Sequence, residues 1–356
     1  MRRTPPKNGS SEKIKISTLV VDGNALYKRG YSATKNEYND KGKPIGGIYQ
    51  FITVLRKIID ENLYHKVFVF WDGEFSGKMR WEIYKDYKIG RGKDYINGTK
   101  PEDENEVLQR REVFNYLEEL YIRQLFDEKV EADDFIAYYC KAKRDTEKIT
   151  VVTSDRDLCQ LVHENVRMYM IDLKTYVYTK NFKEKFGYHH ENVVVIKTLC
   201  GDNSDSIKGV KRLGEETLFN LMPELKERKV TLDEVLNRAK ELQDKRIENK
   251  KPNLKVLDNI INGTTDGVQG DNLYTINHKL VDLTSPLIHE KALNEVNELI
   301  ASPLSDDRSI KNAYKMLKED GLDKVLGQSR YETYLLPFKK LMEREKKNNL
   351  SYLQDI

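Results

Sequence analysis

Thr18-Leu19-Val20-Val21-Asp22-Gly23 is a short apolar run that stops at an acid and a glycine, and the same design returns twice. Val67 to Trp71 runs into Asp72-Gly73, and Ile149 to Thr153 runs into Ser154-Asp155-Arg156-Asp157. Short runs of this kind, rich in β-branched residues and without polar alternation, read as strands buried on both faces. Val166 to Ile171 supplies a fourth candidate. Between them lie helical patterns, Gly47 to Ile59 and Glu106 to Phe126, whose apolar residues fall on one stripe. Strands alternating with such helices predict an α/β fold with a mostly parallel central sheet flanked by helices. Open parallel sheets bind ligands outside the carboxyl ends of their strands, where these aspartates stand. One strand-end acid is an ordinary turn or cap residue. Three at one edge repel one another and require either a cation or raised pKa values.

The chain has 356 residues, enough for about two domains of roughly 150 residues each. Its 61 basic and 58 acidic residues leave a net charge of +3, so the placement of each sign matters more than the total. Charged residues make up 33% of the chain and the mean hydropathy is −0.70. No segment approaches the ~20 apolar residues of a membrane span, so no membrane association is expected. Cys140, Cys159 and Cys200 offer no C-x-x-C pair and fit a reducing cytoplasm, not a disulfide scaffold or a thiolate zinc site. Residues 1–17, with Arg2, Arg3, Lys7, Lys13 and Lys15, hold no apolar stretch for a secretory signal. They read as a flexible basic arm or as a terminus without a function. No oligomerisation signal is evident, and a monomer is expected.

Val130-Glu131-Ala132-Asp133-Asp134-Phe135 opens a helix with three acids. Acids in a first turn complement the helix dipole and need no other purpose. Glu131 and Asp134 nevertheless lie three apart on one helical face, Asp133 sits beside them, and Asp202 and Asp205 repeat the spacing. Together Asp22, Asp72, Glu131, Asp133, Asp134, Asp155, Asp157, Asp202 and Asp205 make nine acids from five segments, with no histidine or cysteine among them. Hard oxygen donors in such excess favour Mg²⁺, with Mn²⁺ as a substitute, over zinc. Two such ions about 4 Å apart clamp an in-line displacement at phosphorus and draw the nucleophile from water. Phosphodiester hydrolysis is the expected chemistry. The histidines show no ligand spacing.

Residues 78–93 carry Lys78, Arg80, Lys85, Lys88, Arg91 and Lys93 against Glu82 and Asp86, interleaved with Trp81, Tyr84 and Tyr87. Cations neutralise phosphates and aromatic rings stack on unpaired bases, which together grip a single strand without reading its sequence. An amphipathic helix with its rings in the core has the same composition. Beyond Val193 the chain turns largely helical. Thr231 and Glu234 form a capping box, Asn262 to Asp271 reads as a loop, and residues 301–356 read as a helical, polar extension.

The blocks VVDGNA, FWDGEFSGKMR with DYKIGR, VEADDFIA, TSDRDLCQLV and GDNSDSIKGVKRLG run in order from residue 18 to about 220. As a set they resemble the flap endonuclease or structure-specific 5′ nuclease family, above all its bacteriophage-type 5′-3′ exonuclease, RNase H-like primer-removing branch. HKLVDLTSP carries the likeness further. The resemblance implies a PIN-like nuclease core at 18–192 with a helical arch at about 75–115. It further implies a helix-hairpin-helix duplex-binding region and return to the core at 193–300. By the same resemblance Asp22, Asp72, Glu131 and Asp133 hold a first Mg²⁺, directly or through water. Asp155, Asp157 and Asp202 hold a second, and Asp134 and Asp205 are extra acids farther from the ions.

Lys88 and Arg91 would lie near the scissile phosphate and stabilise developing charge. Arg80 would position phosphate, with Lys85 and Tyr87 also contacting DNA. The family's hairpin holds duplex through main-chain N–H groups, often with a monovalent cation such as K⁺. Gly209, Val210 and Gly214 would supply that contact. Lys208, Lys211 and Arg212 would replace a lysine that the family carries where this chain has Glu216. The implied partners are branched or 5′-flap DNA and RNA/DNA primer duplexes, with a single-strand-binding protein or clamp as candidate protein partners. The implied location is a cytoplasm, the host's if the chain is phage-encoded. Two rival readings are a PIN-type ribonuclease, which should lack both arch and hairpin, and a non-catalytic branched-DNA binding protein. A phosphate-binding surface gains nothing from nine acids.

Overall fold

Leu19, Val20 and Val21 are all fully buried, as an unbroken apolar run requires when helices cover both faces of a sheet. They lie in β1 (Ile16–Asp22), which pairs in parallel with β2 (Lys66–Asp72) on one side and β4 (Glu147–Thr153) on the other. β3 (Arg123–Asp127) extends the sheet beyond β2, and β5 (Val166–Met170) extends it beyond β4. The antiparallel β6 (Thr175–Val177) closes that edge, so the order is β3-β2-β1-β4-β5-β6. The structure is a computed structural model and describes residues 16–91, 103–265, 272–305, 307–322, 326 and 330–354. From β1 the chain builds first toward β2 and later toward β4, and at this reversal a crevice opens outside the strands' carboxyl ends. Asp22, Asp72 and Thr153 are the last residues of β1, β2 and β4.

The helices of the first half are α1 (Gly23–Thr34), α2 (Gly46–Glu61), α3 (Lys78–Ile83), α4 (Glu104–Glu119), α5 (Ala132–Lys143) and α6 (Thr179–Phe186). Then come α7 (Val193–Cys200), α8 (Glu215–Leu221), α9 (Leu232–Glu248), α10 (Lys255–Ile261) and α11 (Asn272–Val281). The chain finishes with α12 (Glu290–Ala301), α13 (Ile310–Glu319) and α14 (Tyr331–Gln354). Strand residues alternate between two cores. Leu19, Val21, Val69 and Trp71 face one, covered by α1, α2 and α4; Val20, Phe68 and Phe70 face the other, covered by α5 and α12. Residues of α13 and α14, among them Leu317, Tyr334, Phe338 and Leu341, belong to the first core, so the C-terminal helices share the core of the sheet. A buried ion pair between Arg123 and Glu345 fastens α14 to β3. Among the described residues no helix is long and apolar enough to cross a membrane.

The spacing that predicts one helix from Glu106 to Phe126 holds only as far as Glu119. Tyr121 takes a positive φ of 61°, the chain turns, and Arg123 to Asp127 join the sheet. Hydrophobic periodicity does not separate a helix end from an edge strand that follows at once. The basic arm is shorter than expected, because Ile16 and Ser17 already belong to β1. Residues 1–15, residues 92–102 of the expected arch with Lys93, and residues 266–271 of the expected loop lie outside the described residues.

Beyond Val193 helices α7 to α11 gather around Ile196, Leu199, Leu218, Leu225, Val235 and Leu257. The capping box forms, with Glu234 N donating to Thr231 Oγ1 at 3.2 Å and Thr231 N donating to Glu234 Oε2 at 2.7 Å. Asn192, fully buried ahead of α7, ties this layer together. Its Nδ2 donates to the carbonyls of Leu225 and Arg228 at 2.8 and 2.7 Å, and its Oδ1 accepts from Val230 N at 2.8 Å. Asn192→Ala takes the side-chain partner from Arg228 O and Val230 N, while the Leu225 carbonyl keeps its bond from His189 N at 3.0 Å. It should cost about 2–4 kcal/mol in urea unfolding at an unchanged m-value; a loss below about 1 kcal/mol would show that the layer does not depend on it.

Candidate active site

The strand ends and the start of α5 meet at the crevice through a chain of short hydrogen bonds. Asp22 accepts from Ala25 N at 2.9 Å and from the Thr153 hydroxyl at 3.0 Å, and Thr153 Oγ1 accepts from Asp155 N at 2.9 Å. Asp72 accepts from Asn24 Nδ2 at 3.1 Å and from Ala132 N at 2.8 Å, which brings Asp133 beside it. Asp157 N donates to Asp155 Oδ1 at 2.7 Å. Lys197, from α7, reaches across to Asp157 at 2.7 Å and also pairs with Asp202. Asp202 accepts in addition from Ser204 N and Oγ at 2.8 and 2.6 Å.

Like charges dominate this crevice. Burial, with Asp72 and Asp155 nearby, pushes Asp22 up to about 7. Burial and then Asp155 push Asp157 up to about 7 against the pull of Lys197. Asp133 is pushed well above the carboxylate range by burial and by Asp155, Asp22, Asp72 and Glu131. Glu131 and Asp202 move the other way, each to about 2. Burial opposes their ionisation, but Lys88 and Arg80 outweigh it at Glu131, and Lys197 and Ser204 outweigh it at Asp202. Acids that keep protons for want of a counter-charge are the groups a divalent cation discharges.

The donor set is all oxygen and fits Mg²⁺ or Mn²⁺. It is also open. Among the described residues, three ligand atoms all within 4.8 Å of one another occur at His189, His190 and Glu191 and not among the crevice acids. Widely set carboxylates suit an ion that retains several waters. The His189–Glu191 trio, just ahead of α7, was not visible as a ligand spacing in the sequence.

Beside the crevice, several expected site residues pair with one another. Arg80, buried in α3, donates to both oxygens of Asp134 at 2.6 and 3.0 Å, pairs with Glu131, and sends Nε to the carbonyl of Leu280 at 3.0 Å. Asp134 accepts a further bond from Leu287 N at 2.8 Å. The structure thus corrects one assignment: Arg80 is spent on protein acids, not on phosphate, and Asp134 is enclosed by protein donors. Tyr87 is corrected as well. It is buried, and its hydroxyl reaches Glu131 and Asp205, each at 3.1 Å, so its ring is no platform for bases. Lys88, at a positive φ of 53°, donates its N–H to the Asp205 carbonyl at 2.8 Å and pairs its ammonium with Glu131. Lys85 is exposed, with its ammonium 3.7 Å from the Trp81 ring centroid. The side chain of Arg91 lies outside the described residues.

Asp202 and Asp205 do not share a helical face, because β7 (Gly201–Asp202) and β8 (Ile207–Lys208) form a short antiparallel hairpin. Asp202 turns to Lys197 and Asp205 to Tyr87 and Lys88. Gly209 lies against the main chain at Cys200. A Cβ there would stand 2.1 Å from the Cys200 carbonyl carbon, and one on Gly201, at φ 73°, would stand 2.3 Å from Gly209 N. These glycines let two main chains touch. Val210 is buried, whereas Lys208, Lys211, Arg212 and Gly214 are exposed where the chain enters α8.

Raised carboxylate pKa values mean that the metal-free folded state holds protons the unfolded chain has lost. The stability they represent is present at acid pH and lost as pH rises through about 7, the value for Asp22 and Asp157. Asp155→Asn removes a charge that burdens Asp22, Asp133 and Asp157. In chelator at pH 8 it should stabilise the protein by about 1 kcal/mol, with the gain vanishing near pH 4. A variant less stable than the parent at pH 8 would contradict the crowding.

Comparison with known proteins identifies the family. The family described as "5'-3' exonuclease, N-terminal resolvase-like domain" matches residues 17–187. "DNA polymerase I, thermostable" of Thermus thermophilus is 32% identical over 58% of this chain, which spans 24% of that protein's length. The "5'-3' exonuclease" of Mycoplasmopsis pulmonis is 30% identical over 72% of this chain and 82% of its own. The solved "T5 5'-exonuclease" with bound zinc superposes at a TM-score of 0.59 with 18% identity, over 85% of this chain and 99% of its own, and shares the fold. The chain spans about a quarter of the polymerases it matches and most of the free-standing exonuclease, and it belongs to the 5′-3′ exonuclease family.

Proposed function

We propose that this chain is a Mg²⁺-dependent 5′ nuclease. It hydrolyses a phosphodiester near the junction of a 5′ single strand with duplex, as a flap endonuclease and 5′-3′ exonuclease, on branched DNA and primer RNA of replication or repair. The observation that carries the reading is the crowding of Asp22, Asp72, Asp133 and Asp155 into one crevice, where burial and their neighbours' negative charge push Asp22 and Asp133 up. Asp22, Asp72 and Asp133, with Glu131 behind them, would hold one ion, and Asp155, Asp157 and Asp202 the other; Mn²⁺ offers the same hard chemistry. Two such ions supply a water-derived nucleophile and neutralise the departing oxygen. The T5 neighbours described as holding zinc, or DNA with metal ions, support the reading.

The chain's own groups do the rest. Thr153 and Asn24 fix the carboxylates of Asp22 and Asp72 in place. Lys197 keeps Asp157 and Asp202 together. Arg80 ties α3 to α5 and to the end of α11, so that Glu131 and α3 hold one geometry. Lys88 rests on Glu131, and its ammonium moves to the reacting phosphate, where it offsets negative charge as the bond breaks. Lys208, Lys211 and Arg212, with the N–H of Gly214 and a K⁺ ion as a bridge, would face duplex phosphates.

A 5′-labelled flap duplex should release short 5′ products with Mg²⁺, release none with chelator, and release none with Asp155→Asn. Retarded mobility without cleavage in Mg²⁺ would favour a binding module, and cleavage confined to single-stranded RNA a PIN-type ribonuclease. Lys88→Ala should slow single-turnover cleavage about 10²–10³-fold with duplex affinity nearly unchanged. Equal losses in rate and affinity would remove Lys88 from the chemistry.

A further inference from the structure

Phe126, the last residue but one of β3, has its ring 57% exposed at the rim of the sheet. The parallel register sets it beside Trp71 of β2. Its ring lies parallel to that of Phe114 in α4, with centroids 6.4 Å apart and an interplanar angle of 10°; Trp71 meets Phe114 edge-on at 4.7 Å. The three rings line a cavity of about 160 Å³ together with Asp72, Glu74 and Arg110. Asp72 also belongs to the acid crevice, so the cavity opens directly beside the reacting centre.

A lone exposed phenylalanine is ordinary on a soluble protein. Stacked rings with an arginine, next to a site that takes a phosphodiester, make a platform for a nucleobase. The cavity is below the about 300 Å³ of the smallest drug-sized pockets and suits one planar ring. Its carboxylates bias what enters. Asp72 and Glu74 repel phosphate and so keep the backbone outside the cavity.

We propose that the cavity of Trp71, Phe114 and Phe126 seats one unpaired base adjacent to the scissile phosphate, stacked on Phe126, with Arg110 drawing in the neighbouring backbone. This rests on the nuclease reading above. The seat sets which phosphodiester stands over the acids, and it tolerates any sequence because every base has a π-face.

The test uses Asp155→Asn protein with flap DNA carrying 2-aminopurine at successive unpaired positions next to the junction. One position should change fluorescence on binding. Adding Phe126→Ala should remove that change and weaken flap binding about five- to hundredfold, with blunt-duplex binding unaltered. Phe126→Trp should restore both, while Phe126→Leu, apolar but without a π-face, should not. Because Phe126 is largely exposed, its loss should leave the melting temperature near that of the parent. No responsive position, or an unchanged response and affinity in Phe126→Ala, would overturn the seat. Failure of the otherwise unaltered protein to cleave a flap in Mg²⁺ would instead overturn the nuclease reading.

Discussion

Mutual repulsion among carboxylates at the carboxyl ends of β1, β2 and β4 is the constraint around which the rest of this molecule is arranged. Parallel strands bring Asp22, Asp72 and the segment after Thr153 to one edge, and the strand order reverses there, so the acids cannot spread apart without opening the sheet. Local donors then hold them: Ala25 N and Thr153 for Asp22, Asn24 and Ala132 N for Asp72. The positive end of α5 points into the same region. Functional sites commonly trade stability in this way, and the trade is tolerable because large cores on both faces of the sheet carry the fold.

Much of this was legible in the sequence. Apolar runs that end in aspartate marked β1, β2 and β4, because a strand covered on both faces has no polar alternation to blur it. The short amphipathic strand β3 was not legible: Gln124 and Leu125 are only half-buried at the sheet edge, and the apolar positions of α4 continue into them without a break. The type of charge was legible, but its direction was not. Composition counts Arg80 among the cations that face DNA. Only the fold reveals that Asp134 and Glu131 lie within reach of its guanidinium across a gap of some fifty residues in the chain, separations of 54 and 51. Buried arginine is stable only when paired in this manner.

The same misdirection holds for the aromatic residues. Tyr87 sits in the basic segment yet faces inward, whereas Phe126, outside that segment, is the ring turned to solvent beside the acids. The His189–Glu191 trio likewise depends on how the chain bends before α7.

Gly201 and Gly209 press two main chains together between Asp202 and the exposed turn that leads into α8. On the nuclease reading proposed above, that turn would grip duplex and Asp202 would belong to the cutting centre. Main-chain contact would then hold grip and cutting centre at a constant spacing, whatever bond the base seat selects.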